Sequence, residues 1–326
     1  MAKIVLTMGT PHAPFLNQRE GPVAERWAQS SARELSPHLR GGGILMNLDI
    51  PKLTEERKGW IEKELQPDVW QRRADASQAA LTTLSKLLKE TAPDVCVIIG
   101  DDTHEIFEPD EHIPAVDVFA GSALPWVGWP GRVRTPEPAK ILQGVPELGE
   151  HLTRSFCEEG YDVSLTRKVA EGKSVGHAFD FIYSRIMDEN VPAHVPIWLN
   201  TYYAPNIPSM PRCYAMGKAL RRGIEGWDSN ARVCIIGTGG LSHMLIDEEL
   251  DHEVLDILQK KEEGRLPEIK NGEERTVYGT SEIRNWLFAA GAVHDSPAQM
   301  NLLSYEPCYR TVAGTGVGCG FAYWKE

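Results

Sequence analysis

Short apolar runs of strand length alternate along this chain with longer stretches in which apolar residues recur at helical spacing. Val95-Cys-Val-Ile-Ile99 is unbroken by any polar residue and mostly β-branched, the pattern of a strand buried on both faces. Lys3-Ile-Val-Leu-Thr-Met8, His194-Val-Pro-Ile-Trp-Leu199 and Val233-Cys-Ile-Ile236 read the same way, and Val116–Phe119 as a shorter strand. Ahead of Val95, a helix over 68–90 starts at Pro67-Asp68. It carries a buried stripe of Leu81, Leu84, Leu87 and Leu88 and hands over at Ala92-Pro93. Further helices are expected over 22–35, 54–65, 139–160, 212–226 and 247–263, with a last one opened by Tyr278–Trp286. Residues 40–43 and 48–51 mark a loop, 121–138 with Trp126 and Trp129 is irregular, and Val312–Tyr323 is a glycine-rich closing strand.

Strands separated by helices predict an α/β fold, with a central, mostly parallel sheet flanked by helices. Repeats and low-complexity linkers are absent, so residues 1–326 are expected to form a single large domain.

Three of the strands end in a glycine turn that delivers a histidine. These are Gly9-Thr-Pro-His12, Gly100-Asp-Asp-Thr-His104 and Gly237-Thr-Gly-Gly-Leu-Ser-His243. Ligands of open α/β sheets bind at the carboxyl ends of the strands, so a site is expected there. His177 follows a similar glycine in Val175-Gly-His-Ala-Phe179. Each has a plainer local reading: His12 as a turn residue capping its own loop, Glu282 as a first-turn helix carboxylate favoured by the dipole. Neither GxGxxG nor the phosphate-binding P-loop is present, and Gly-Leu-Ser-His is not a nucleophile elbow. HExxH zinc spacing is also missing. Dispersed histidines and carboxylates therefore point to a metal-dependent or acid–base enzyme, and spacing alone goes no further.

Charge narrows the partners. A net charge of −12 argues against broad binding to nucleic acid or an anionic membrane, though it leaves room for a small anionic substrate. The six cysteines show no CxxC pairing, and Cys96 and Cys234 sit inside apolar strands, which fits a reduced, cytoplasmic protein. The chain opens directly on a strand without a signal-peptide pattern, and no apolar run has bilayer-spanning length.

Six segments occur in an order that carries a resemblance: Thr10-Pro-His-Ala-Pro14, Gly100-Asp-Asp-Thr-His104, Val175-Gly-His-Ala-Phe179, Arg212-Cys-Tyr-Ala-Met-Gly217, Ile236–His243 and Ser281-Glu-Ile-Arg-Asn-Trp286. Together they resemble the catalytic subunit of the class III extradiol ring-cleaving dioxygenases, the protocatechuate 4,5-dioxygenase superfamily. The resemblance implies non-haem Fe(II) held by His12, His104 and Glu282, with Asp102 or His112 as substitutes for His104. It further implies His243 as the acid–base residue and His177 as a second active-site histidine that helps bind substrate or O2. The run Asn200-Thr-Tyr-Tyr-Ala-Pro-Asn206 resembles the gallate and 3-O-methylgallate branch, with Tyr203, Asn206 or Arg212 as substrate contacts and a homodimer as the assembly. Two other readings stay open on the same scaffold, a zinc-dependent hydrolase and a non-enzymatic adaptor.

Overall fold

A computed structural model describes residues 1–17, 25, 27, 38–41, 44–108, 110–127, 139–188 and 190–325. In chain order the strands are β1 (Lys3–Thr10), β2 (His38–Gly41), β3 (Ile44–Asn47), β4 (Val95–Gly100), β5 (Val116–Phe119), β6 (Ala123–Trp126), β7 (Lys140–Gln143), β8 (Ser164–Thr166), β9 (His194–Leu199), β10 (Arg232–Thr238), β11 (Gln299–Tyr309) and β12 (Gly316–Lys325). The α-helices are α1 (Ile50–Arg57), α2 (Ile61–Glu64), α3 (Pro67–Thr91), α4 (Pro146–Glu158), α5 (His177–Phe181), α6 (Met210–Gly226), α7 (Glu248–Lys260), α8 (Gly272–Arg275) and α9 (Ile283–Gly291).

Eight strands form one sheet in the order β11-β12-β1-β10-β4-β9-β5-β8. Its centre is parallel: β1 pairs with β10, β10 with β4, and β4 with β9. The margins turn the sheet mixed, because β12 runs antiparallel to β1, β11 to β12, and β5 to β9. Alternation along the central strands sorts side chains to two faces. Val95, Val97, Ile99, Val233 and Ile235 join a core with residues of α4, α6, α7 and α9. Cys96, Ile98, Cys234, Ile236, Leu6 and Met8 join the opposite core with α3 and α5. Helices thus cover both faces, as the unbroken apolar runs require.

The helix read at 68–90 is α3, which begins with Pro67 at its first position and ends where Ala92 takes a left-handed φ of 44°. Leu81, Leu84 and Leu88 are buried and Leu87 partly so. The expected helix over 54–65 is two short helices, α1 and α2. The span 139–160 divides into strand β7 and helix α4, with Pro146 at the first position of α4. The long strand β11 was not foreseen, since its polar residues break the alternation, and the glycine-rich strand runs over 316–325 rather than 312–323. Apart from residues 25 and 27, the helix expected over 22–35 lies outside the described residues, as do Trp129 and most of the irregular stretch 121–138.

The feature that places the site is the approach of α9 to the carboxyl ends of the central strands. A Cβ at Gly237 would lie 2.6 Å from the carbonyl oxygen of Asn285, so only glycine admits the helix so close. Trp286 donates to the Gly239 carbonyl at 2.9 Å, and Asn285 donates to the Thr238 carbonyl at 2.8 Å. The start of α9 is thereby fixed above β1, β10 and β4.

Candidate active site

Four segments meet above these strand ends. The turn after β1 brings His12, the end of β4 brings Asp101, the start of α5 brings His177, and the turn leading into α9 brings Glu282. One ligand atom from each lies within 4.8 Å of the others. His12 Nε2 stands 3.2 Å from Glu282 Oε2 and 3.9 Å from Asp101 Oδ1, and His177 Nε2 stands 3.8 Å from Asp101 Oδ2. The rings of His12 and His177 meet edge to face at 4.6 Å. Thr238 Oγ1 lies 3.2 Å from Nδ1 of His12, which leaves Nε2 facing the group.

Glu282 is 2 % exposed, with contacts on both carboxylate oxygens. Its Oε1 accepts the Tyr202 hydroxyl at 2.8 Å and faces His243 Nε2 at 3.1 Å, while Oε2 accepts the Gly240 N–H at 2.8 Å. Burial alone would raise its pKa, but His243 and His12 hold it well below the usual carboxylate range. The reciprocal holds for His243. Burial opposes its charge, yet Glu282, the Leu241 carbonyl and Asp101 raise its pKa above the ordinary histidine value. Its Nδ1 lies 2.9 Å from the Leu241 carbonyl, which can only accept, so Nδ1 is the donor and Nε2 faces the site.

Asp101 is wholly buried and its Oδ2 has no hydrogen-bond partner, while Oδ1 accepts from Asn285 at 3.2 Å. Burial and the neighbouring Glu282 push its pKa up to about 6. Asp102 plays a local part: its two oxygens accept the Ile106 and Phe107 N–H groups at 2.8 and 3.2 Å and shape the loop. Burial first, then Glu105, raises its pKa to about 7. Among the described residues, the ion pairs of Asp101, Glu105 and Glu282 are all with histidines. An unpartnered buried carboxylate oxygen beside imidazole nitrogens is a donor set suited to a divalent cation.

Of the residues singled out from the sequence, His12, His177 and Glu282 come together, with His243 against Glu282. His104 does not join the four. It takes a left-handed φ of 73°, is half-buried, and sets its ring 4.8 Å from that of Tyr203. The strand end at Gly100 turns Asp101 inward instead, and the rings of His112 and Phe107 meet edge to face with centroids 6.3 Å apart. Tyr203 is half-buried, its hydroxyl without a hydrogen-bond partner, and Asp102, Glu105 and Asp101 lie close enough to raise its pKa further beyond what burial does. Asn206 ties its own loop, accepting from Asn200 at 2.9 Å and donating to the Ile113 carbonyl at 2.8 Å. Arg212 is exposed on α6, with its guanidinium 5.0 Å above the Tyr161 ring. Asp101, Glu105 and Tyr202 were not singled out. The acidic pattern Asp-Asp-x-x-Glu at a strand end was the available signal for the first two. A pocket with room for no more than a water molecule is lined in part by Asp102, Phe107, Ile113, Pro114, Trp198 and Tyr203.

An α/β sheet whose strand ends gather histidines and carboxylates around one point, with a further histidine against it, defines a recognisable class of enzyme architecture. Residues 61–319 match the family described as the catalytic LigB subunit of aromatic ring-opening dioxygenase, and the chain belongs to that family. The matched stretch contains His104, His177, His243 and Glu282, whereas His12 precedes it and is brought in by the pairing of β1 with β10. The chain is also 30% identical over 190 residues to gallate dioxygenase of Pseudomonas putida, a match covering 55% of this chain and 54% of that protein. It thus spans about half the length of that curated relative. Among the described residues, no helix is long and apolar enough to cross a membrane.

Proposed function

We propose that this protein is a non-haem Fe(II)-dependent extradiol dioxygenase that opens the ring of a catecholic acid of the protocatechuate, gallate or 3-O-methylgallate type with O2. The observation that carries the reading is the convergence of His12, Asp101, His177 and Glu282, with the buried Asp101 Oδ2 left unpartnered. His12 and Glu282 would hold the iron, with Asp101 and His177 beside them in place of His104. The chemistry such an ion supplies is electron exchange between an electron-rich dihydroxy ring and O2.

The chain's own residues do the rest. His243 Nδ1–H is committed to the Leu241 carbonyl, so Nε2 is the atom that takes a hydroxyl proton from the substrate and later returns it. Glu282 beside it stabilises the imidazolium between those two transfers. Tyr203, whose hydroxyl has no hydrogen-bond partner, would meet a ring substituent. The homodimer is carried over from the resemblance alone.

The test is oxygen uptake after anaerobic loading with Fe(II), offering protocatechuate, gallate, 3-O-methylgallate and catechol. One O2 consumed per substrate, with a ring-opened chromophore, is the expected result, and His243→Ala is expected to keep iron while losing turnover. Normal turnover in that variant would overturn the acid–base assignment. Retention of zinc with no uptake would replace the reading with a hydrolase, and failure to hold any metal would favour the adaptor.

A further inference from the structure

His177 is gripped from behind by a carboxylate that the sequence did not mark. Glu105, on the loop after β4, is 6 % exposed and sits against the first turn of α5, 72 residues further along. Its Oε1 accepts the His177 backbone N–H at 2.9 Å and stands 2.7 Å from the ring Nδ1. Its Oε2 accepts the Thr103 N–H at 3.2 Å. A Cβ at Gly176 would lie 2.6 Å from Oε2, so the two segments close on each other without slack. With a backbone N–H donating to each oxygen, Glu105 serves as an acceptor, and the proton of the imidazole contact has to come from Nδ1. In the neutral ring Nε2 then carries the lone pair, and it is the nitrogen that faces Asp101 Oδ2 at 3.8 Å.

We propose that Glu105 is a positioning residue of this centre: it fixes the tautomer and rotation of His177 so that the Nε2 lone pair points at the point shared with His12, Asp101 and Glu282. The inference rests on the metal-centre reading above for its purpose, though not for its geometry. A carboxylate behind a metal-binding imidazole fixes which nitrogen is free and how the ring is turned, and loss of such a partner weakens metal binding ~10–100-fold. A carboxylate that merely stapled the loop would leave the ring's protonation pattern and metal affinity unchanged once removed from a folded protein.

The experiment uses the full-length protein with 15N-labelled histidine, read first without metal and then by anaerobic Fe(II) titration, with His177→Gln identifying the His177 signals. Wild type is expected to show a single tautomer of His177, protonated at Nδ1. Glu105→Ala is expected to lose that preference and to bind Fe(II) ~10–100-fold more weakly. Glu105→Gln keeps an amide oxygen to accept from Nδ1–H but turns its NH2 towards the Thr103 N–H, so it should retain the tautomer with an affinity between those of wild type and Glu105→Ala. A folded Glu105→Ala with an unchanged tautomer and unchanged affinity would overturn the proposal. If that variant does not fold, Glu105→Asp, one methylene shorter, carries the same comparison. If wild type itself takes up no Fe(II), the metal reading fails, and the metal-free spectra still decide whether Glu105 sets His177.

Discussion

Gly279→Ala tests how tightly His243 is held. A Cβ at Gly279 would lie 2.2 Å from Cδ2 and 2.5 Å from Nε2 of the His243 ring. Ordinary carbon contacts begin near ~3.5 Å, so the ring would have to retreat by roughly 1 Å or more. Its retreat would break the Nδ1 hydrogen bond to the Leu241 carbonyl at 2.9 Å and the Nε2 contact with Glu282 at 3.1 Å. Gly279 does not occupy the left-handed region, so alanine there probes space and not backbone strain. A displacement of about 1 Å of a proton-transfer group costs on the order of 100-fold in rate. Turnover of the preferred aromatic acid by Fe(II)-loaded enzyme should therefore fall ~100-fold in Gly279→Ala. Gly264→Ala, where nothing lies within 4 Å, should match wild type. Turnover in Gly279→Ala within about twofold of wild type would refute the geometry of the proton-transfer step.

Tyr202→Phe removes the buried hydroxyl that donates to Glu282 at 2.8 Å, and a hydrogen bond to a charged group contributes ~1.5–3 kcal/mol. The metal-free variant should melt a few degrees lower by calorimetry, and an unchanged melting temperature would show that Glu282 does not depend on it. Asp117 gives a pH dependence away from the site. Burial, only partly offset by the Thr166 hydroxyl, raises its pKa from 3.8 to about 7. A raised carboxylate pKa means that the folded state favours the protonated form. The stability this residue permits is complete below about pH 4 and is lost as pH rises through 7, by ~4 kcal/mol at most. Asp117→Asn should gain stability relative to wild type as pH is raised from 5 to 8 in denaturant titrations, and parallel pH curves for the two proteins would contradict it.

The pattern of residues decided much of this protein on its own. Unbroken apolar runs such as Val95–Ile99 can be satisfied only where both faces are covered, so they fixed buried strands with helices on either side. Glycine turns at the strand ends marked the edge where His12 and His243 are delivered. Tertiary structure decided which side chains meet. At the end of β4 the choice among Asp101, Asp102 and His104 depends on how the chain leaves Gly100: Asp101 turns into the core, Asp102 folds back on the Ile106 and Phe107 amides, and His104 is carried out towards Tyr203. Glu105 and His177 lie 72 residues apart, and Tyr202 and Glu282 lie 80 apart. A periodicity extends over a few turns of chain, so no local pattern reports such contacts. They exist because parallel strands set distant loops side by side and because the close seat of α9 on β10 brings Glu282 down to them.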